Sequence, residues 1–278
     1  RSFDGAVDYR CGCGIWWQPP DAADDMTPRR PPAPLTRLIA RPPYAVDLAD
    51  GEGGDLVIAF SSVGHDPGRV PSPEFVATAR GQDGRRALFV TDASRSWANA
   101  PGFEGVLTEA LALMTARATV TRIATIGLSM GGFSALVAAQ VLPVDVVLAF
   151  SPQWSVAPGM VPGETRWARW THALPKLRWP VAPLPVRGHA WLFHGAQDDL
   201  PHALRFPRRP GVDQVLFPDL DHSGLVPHLK ARGALQGLLN TALEGDRRRV
   251  LRIAASAGGR LRQRLFPDDA SAPDYRSS

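Results

Sequence analysis

Length, composition and charge narrow the possible classes of protein. The chain has 278 residues, 44% of them hydrophobic, which suffices for the core of one large α/β domain. Its formal net charge of +4 comes almost entirely from arginine, since its only lysines are Lys176 and Lys230. Without an aromatic-and-basic RNA-binding motif or zinc-finger spacing, this bias does not indicate nucleic-acid binding. No apolar run reaches the roughly 18 residues of a membrane span, so no stable membrane insertion is expected.

The N-terminal region is predicted to differ from the rest of the chain. Prolines between residues 28 and 34 disfavour both helix and sheet bonding, so residues 1–34 are expected to form an irregular arm. Within it, Cys11 and Cys13 flank a single glycine, a spacing that strains a disulfide and supplies only half a metal site. Two reduced thiols are therefore expected. No signal-like apolar segment follows Arg1, which favours a cytoplasmic location.

The main domain is predicted at residues 35–245. Its first two strand candidates, residues 35–39 and 44–48, are expected to form an outer hairpin before a turn at residues 50–54. Continuous apolar runs typical of buried strands follow at residues 56–60, 87–90, 120–126, 144–150, 190–193 and 214–217. Helices are predicted at residues 102–117, 133–141 and 225–243. This alternation predicts a mainly parallel, doubly wound sheet, whose ligands gather at the carboxyl ends of the strands.

Two further segments have distinct compositions. Residues 151–188 lose all periodicity and collect four tryptophans beside arginines and prolines: Trp154, Trp167, Trp170 and Trp179. We predict that this insertion lies over the carboxyl edge of the sheet and caps the nucleophile. The alternative is that the tryptophans only pack it onto the body. Residues 246–278 are predicted to form a basic amphipathic helix and a disordered tail. A solvated helical face is favoured there over contact with an anionic surface.

The segment GLSMGG, residues 127–132, stands between a predicted strand and a predicted helix and matches the pattern G-x-S-x-G. In this pattern the serine lies on a sharp strand-to-helix turn, and the flanking glycines remove Cβ atoms that would clash there. The turn exposes the Ser129 hydroxyl and directs the first helical N–H groups toward the same place. Ser129 is therefore the candidate nucleophile. A turn that only packs, or a phosphate cradle, is the alternative.

A serine nucleophile needs a base, and the base needs a carboxylate that orients it. After this turn the chain order is expected to be serine, acid, histidine. The segment HGAQDD, residues 194–199, places two carboxylates after a strand, and Asp198 is chosen as the acid with Asp199 in reserve. His222 follows the last strand in a loop of small and polar residues, and is chosen as the base. His228 is its only serious rival.

These three segments, in this order and spacing, resemble the α/β-hydrolase superfamily over about residues 50–244. The resemblance implies an acid three residues after Gly195, an oxyanion donor at the Met130 N–H, and a second donor from the loop after the third strand. Ser62 is assigned as that second donor, with Ser61 as the alternative, although no HG or HGGG sequence follows Phe60. The stretches FSSVG, SWAN, SMGGFSAL and FSPQ are also similar to a branch of bacterial hydrolase-like proteins associated with surface glycan or glycoprotein modification.

The resemblance implies acyl transfer through an acyl-Ser129 intermediate, without a metal or an organic cofactor. The expected activity is that of a carboxylic-ester hydrolase, an esterase or thioesterase, acting on a small-molecule or glycan ester. The alternatives are an acyltransferase to a glycan or glycoprotein, and a hydrolase-fold binding protein without turnover. Residues at strand ends and in the insertion are expected to contact substrate: Ser61, Asp92, Asn99, Gln153 and Trp154. The oligomeric state is left open.

Overall fold

The computed structural model describes residues 34–82, 84–172, 174 and 177–267. Cys11, Cys13, nearly all of the predicted arm and most of the predicted tail lie outside these residues. Nine strands occur in the described part of the chain: β1 (Thr36–Arg41), β2 (Tyr44–Ala49), β3 (Glu52–Phe60), β4 (Arg85–Asp92), β5 (Arg122–Leu128), β6 (Val146–Phe150), β7 (His189–Gly195), β8 (Val212–Phe217) and β9 (Arg260–Leu261).

The strands form one sheet in the order β1-β2-β4-β3-β5-β6-β7-β8-β9. The pairs β1–β2, β2–β4 and β8–β9 are antiparallel. All other neighbours are parallel, so the predicted mainly parallel sheet is confirmed. The predicted outer hairpin corresponds to β1 and β2. Because the central strands are parallel, the loops after β3, β5, β6, β7 and β8 meet at one edge of the sheet.

The turn predicted at residues 50–54 is only partly correct, because β3 already begins at Glu52. Its N–H donates to the Gly84 carbonyl at 3.2 Å, and the β3–β4 register shifts between Glu52 and Leu56. The glycines therefore lie in an irregular start of the strand, where a backbone without side chains tolerates the shift.

Nine helices accompany the sheet in the described part of the chain: α1 (Val76–Arg80), α2 (Phe103–Arg117), α3 (Met130–Val141), α4 (Ala168–Thr171), α5 (Leu200–Ala203), α6 (Leu225–Ala231), α7 (Ala234–Leu243), α8 (Arg247–Ser256) and α9 (Arg262–Leu265). The prediction of one helix over residues 225–243 was wrong. Gly233 adopts a φ of +65° between α6 and α7, and this left-handed residue breaks the helix in two. None of the described helices has the length and apolarity to span a membrane.

Buried apolar residues cover both faces of the sheet. On one face α2 and α3 pack against the strands through side chains such as Phe103, Phe133 and Leu136. On the other face α1, α6, α7 and α8 do so through side chains such as Leu229, Leu238 and Val250. The sheet is therefore doubly wound, and α3 begins directly at the central strand β5, where the functional loops converge.

Candidate active site

Ser129 lies on the turn between β5 and α3. Its backbone angles, φ 57° and ψ −122°, are outside the regions that L-residues prefer, and its N–H donates to the Phe150 carbonyl at 2.8 Å. A Cβ added to Gly127 would lie 2.2 Å from the Gly131 carbonyl. A Cβ on Gly131 would lie 2.2 Å from the Phe60 carbonyl oxygen. The strained turn therefore depends on both glycines, as the pattern predicts.

Of the two predicted oxyanion donors, one is well placed and the other is engaged elsewhere. Met130 is the first residue of α3, where an N–H has no acceptor within its own helix. The Ser62 hydroxyl, in contrast, donates to the Glu74 carboxylate at 2.6 Å. Burial raises the pKa of Glu74, and hydrogen bonds from the Ser62 hydroxyl and backbone N–H oppose that rise. The alternative, Ser61, uses its N–H on the Val90 carbonyl at 3.1 Å.

The structure pairs the predicted base with the reserve acid. Both carboxylate oxygens of Asp199 lie 2.9 Å from His222 Nδ1. Asp198, the first choice, does not contact the imidazole ring. One of its oxygens accepts from the backbone N–H of His222 at 2.7 Å, and its side chain is 40% exposed, against 3% for Asp199. The expected contact between Asp198 and the base is therefore corrected to Asp199.

The environment of Asp199 keeps its carboxyl group ionised. Burial alone would raise the pKa of Asp199, but the hydrogen bond from His222 and the nearby charge of that ring outweigh it, and the pKa is lowered. An ionised Asp199 accepts the proton of His222 Nδ1. The Nε2 atom is then the lone-pair nitrogen, which is the tautomer that a general base requires.

Gln153 contacts the hydroxyl of Ser129. Its Nε2 donates to Ser129 Oγ at 2.9 Å, and its Oε1 accepts from Trp97 Nε1 at 2.9 Å. Among the described residues no hydrogen bond joins Ser129 to His222. The nucleophile and the acid–base pair are both buried, with exposed fractions of 2% for Ser129 and 7% for His222. Proton transfer therefore requires a local approach of the two side chains.

The insertion contributes residues that touch the acid–base pair. Arg166 Nη1 lies 3.0 Å from Asp198 and 3.1 Å from Asp199, and its guanidinium also binds Glu164 at 2.6 Å. Trp167 packs on the His222 ring with centroids 5.0 Å apart. The sequence predicted that the insertion caps the nucleophile at the carboxyl edge of the sheet, with packing onto the body as the alternative. It contained no signal for the arginine contact, because the ion pair joins residues more than thirty positions apart.

A second histidine–carboxylate pair supports the same loops. His202 Nδ1 accepts from the Trp154 backbone N–H at 3.1 Å, so the proton is on Nε2, which donates to Glu164 at 2.9 Å. Burial would raise the pKa of Glu164, but hydrogen bonds from His202 and Arg166 hold it far below its usual value. This pair connects the insertion to α5, immediately after Asp199.

The other residues predicted to contact substrate have structural partners. The Ser61 hydroxyl donates to the Ser72 carbonyl at 2.7 Å. Asp92 accepts hydrogen bonds from the backbone and hydroxyl groups of Ser94 and Ser96. Asn99 accepts from the Trp179 backbone N–H at 2.7 Å, which ties the insertion to the loop after β4. Trp154 is 6% exposed and anchors its N–H on His202, as described above.

His228, the rival candidate for the base, forms its hydrogen bond outside this arrangement of residues. Its Nε2 lies 2.8 Å from the Ala257 carbonyl, after α8. His194 is fully buried, with Nε2 lying 3.1 Å from the Pro152 carbonyl. Neither ring contacts Ser129 among the described residues, and both ring nitrogens of His202 are engaged by Trp154 and Glu164, which leaves His222 as the candidate base.

Burial lowers the pKa of His194 from 6.5 to about 4. In the unfolded chain the ring takes up a proton as the pH falls below about 6.5, whereas the folded chain resists protonation until about pH 4. The free energy of unfolding should therefore decrease by about 3 kcal/mol across this window as the pH falls. His194→Gln, which cannot titrate and retains an N–H for Pro152, should flatten the curve. Urea denaturation of both proteins between pH 4.5 and 7 measures how the free energy of unfolding depends on pH. If this dependence is unchanged in His194→Gln, its assignment to His194 is contradicted.

Comparisons with known proteins bear on the fold. No protein-family model and no curated protein sequence matches the chain. Among solved structures, the capsule O-acetyltransferase of Neisseria meningitidis serogroup A is 13% identical, with 76% of this chain and 94% of that chain covered and a TM-score of 0.50. A proposed esterase from Staphylococcus aureus is 11% identical, with 77% and 83% covered and a TM-score of 0.50.

An α/β serine hydrolase without a lid, from Xanthomonas campestris, is 16% identical, with 74% of this chain and 93% of that chain covered and a TM-score of 0.47. At such identities a likeness concerns the fold. The two structures with a TM-score of 0.50, together with the strand order and the strained turn at Ser129, agree with the fold predicted from the sequence. The chain therefore has the predicted α/β-hydrolase fold.

Proposed function

We propose that the chain is a serine hydrolase that forms a covalent acyl-Ser129 intermediate on carboxylic-ester substrates. The observation that supports this proposal is that the strained Ser129 turn and the buried His222–Asp199 pair follow parallel strands and therefore lie at the same edge of the sheet. A strained serine next to a helix N-terminus, with an oriented imidazole following in the chain, is the arrangement that acyl transfer requires.

The proposed reaction has two halves, the acylation of Ser129 and the hydrolysis of the acyl-serine. Ser129 Oγ attacks the ester carbonyl and passes its proton to His222 Nε2, while Asp199 stabilises the resulting imidazolium. The Met130 N–H stabilises the oxyanion. His222 then returns the proton to the leaving alcohol or thiol as the carbon–leaving-group bond breaks. In the second half His222 deprotonates a water molecule, which attacks the acyl-serine. As the bond between the acyl carbon and Ser129 Oγ breaks, His222 returns the proton to Oγ, and the acid is released.

A fluorophosphonate probe tests the nucleophile directly. Intact-mass spectrometry of the wild type should show a single adduct, because the probe reacts with serines activated by a base. Ser129→Ala should show none, and His222→Ala should be labelled at least about 100-fold more slowly. Ser134→Ala, which removes a buried serine hydroxyl from α3, the helix that follows Ser129, is the matched control and should be labelled like the wild type. A folded wild type without an adduct would favour a hydrolase-fold binding protein.

Transfer of the acyl group to a hydroxyl is the second candidate. Two observations favour it: the likeness to a capsule O-acetyltransferase, and the burial of Ser129, which limits the access of water. Incubation with p-nitrophenyl acetate and a series of glycan acceptors distinguishes the two. Acetate as the sole product supports hydrolysis, whereas an acetylated sugar that accumulates with acceptor concentration supports transfer. The dependence of transfer on the glycan acceptor also indicates whether the arginine- and tryptophan-rich insertion recognises a glycan or an acyl chain.

A further inference from the structure

We infer that Gln153 is a catalytic hydrogen-bond donor to the reacting oxygens at Ser129, and that Trp97 is the positioning residue that fixes its amide. The inference rests on the proposed acyl-serine function and deepens it. The loop after β3 was expected to supply the second oxyanion donor, the Ser62 N–H. In the structure the Ser61 N–H donates to the Val90 carbonyl, and both the hydroxyl and the backbone N–H of Ser62 donate to Glu74.

The chemistry of Trp97 determines which way the Gln153 amide faces. An indole N–H only donates, so the atom 2.9 Å from Trp97 Nε1 has to be the amide oxygen. The NH₂ group is consequently directed at Ser129 Oγ, also at 2.9 Å. The side chains are almost completely buried, with 1% exposed for Gln153 and 0% for Trp97, so water does not compete for either hydrogen bond.

The backbone around this contact is strained on both sides. Trp97 and Ala98 have φ values of 51° and 61°, and Ser151, two residues before Gln153, has a φ of 44°. Residues other than glycine adopt such angles at a cost, and they persist where the surroundings enforce them. The Asp92 carboxylate supplies part of that enforcement, because it accepts hydrogen bonds from Ser94 and Ser96 in the turn that presents Trp97.

The Gln153 N–H stabilises the oxygens on which negative charge develops during the reaction. As the Oγ–H proton passes to His222, the Gln153 N–H stabilises the negative charge on Oγ. As the Oγ–carbon bond forms, the π electrons of the carbonyl move to its oxygen, which is bound to the same carbon and shares the donors. An amide whose position is fixed before the reaction needs no reorganisation in the transition state. Gln153 and the Met130 N–H then form the donor pair.

Labelling kinetics with the fluorophosphonate probe separate this role from simple packing. Gln153→Ala should lower kinact about 100-fold with little change in KI, because the donor acts on the reacting oxygens rather than on binding. Trp97→Phe keeps an aromatic ring but frees the amide to rotate, so a smaller loss of about tenfold is expected. Gln140→Ala and Trp191→Phe are the controls, and both should be labelled at about the wild-type rate. Gln140 donates to the Leu184 carbonyl of the insertion, and Trp191 is buried on the other face of the sheet.

The near-isosteric Gln153→Glu supplies a readout that packing would not change. An ionised carboxylate can accept from Trp97 but offers no proton to Ser129, so in this form the variant should be as slow as Gln153→Ala. Once protonated, the carboxyl has an O–H to donate. The ratio of the Gln153→Glu rate to the Gln153→Ala rate should therefore rise as the pH is lowered, and taking the ratio cancels pH effects that the two variants share.

The two proposals fail in different ways. A wild type that is not labelled at Ser129 overturns the acyl-serine function, and the role of Gln153 with it. A labelled wild type with Gln153→Ala equally fast, or with a pH-independent ratio of the two Gln153 variants, overturns only the inference about Gln153.

Discussion

Asp199→Asn should lower the rate of acyl-Ser129 formation about 10⁴-fold, the loss expected when the base is held in the wrong tautomer. Asparagine fits the same space, but its NH₂ group can donate to His222 Nδ1. The ring proton would then shift to Nε2, where it blocks the acceptance of the Ser129 proton. The short contacts from both oxygens of Asp199 to Nδ1 make this residue, rather than Asp198, the one that determines the tautomer.

Asp198→Asn is the matched comparison. Its remaining carbonyl oxygen still accepts from the backbone N–H of His222, and Arg166 retains Glu164 and Asp199 as partners. A loss within about tenfold is expected, since the side chain is exposed and does not touch the ring. Labelling rates with the fluorophosphonate and kcat/KM on p-nitrophenyl acetate measure both variants. If Asp198→Asn shows the larger loss, the sequence-based choice of acid is restored.

The sequence did not determine which of the two adjacent aspartates, Asp198 or Asp199, contacts the His222 ring. Counting three residues from Gly195 selects Asp198. In the structure the Asp199 N–H donates to the Gly195 carbonyl at 3.2 Å, and α5 begins at the next residue. This turn buries the Asp199 carboxylate against the His222 ring and leaves the Asp198 carboxylate partly exposed, on the His222 backbone N–H and Arg166. The composition of the loop is the same for either outcome, so only its backbone path distinguishes them.

The parts that could be predicted rest on short-range patterns. Buried strands, the strand–turn–helix at Ser129 and the sheet class follow from apolar runs and from glycines within a few residues of each other. The contacts of Ser62 with Glu74, of Trp97 with Gln153 and of Arg166 with Asp199 join distant segments. Each depends on loop conformations that local propensity does not determine. The oxyanion donor and the role of the insertion were therefore the weakest parts of the sequence analysis.

Gly131→Ala is expected to have the largest effect on stability. The added Cβ would lie 2.2 Å from the Phe60 carbonyl oxygen and 3.1 Å from the Ser61 carbonyl carbon, and both atoms belong to the backbone. Since neither can move without separating α3 from the end of β3, the free energy of unfolding should fall by about 3 kcal/mol or more. In a chain of this size that corresponds to a melting temperature roughly 6–12 °C lower.

Gly105→Ala is the control, because no atom lies within 4 Å of the Cβ that it would add to α2. Because Gly105 lies in the first turn of α2, its replacement by alanine should leave the free energy of unfolding unchanged or raise it by up to about 1 kcal/mol. Thermal melts of both variants provide the measurement. Separation of α3 from β3 also moves the Met130 N–H relative to Ser129, so the Gly131 variant should lose labelling even at temperatures where it remains folded. A stable Gly131→Ala with wild-type labelling would show that the turn does not need the close approach of these two backbones.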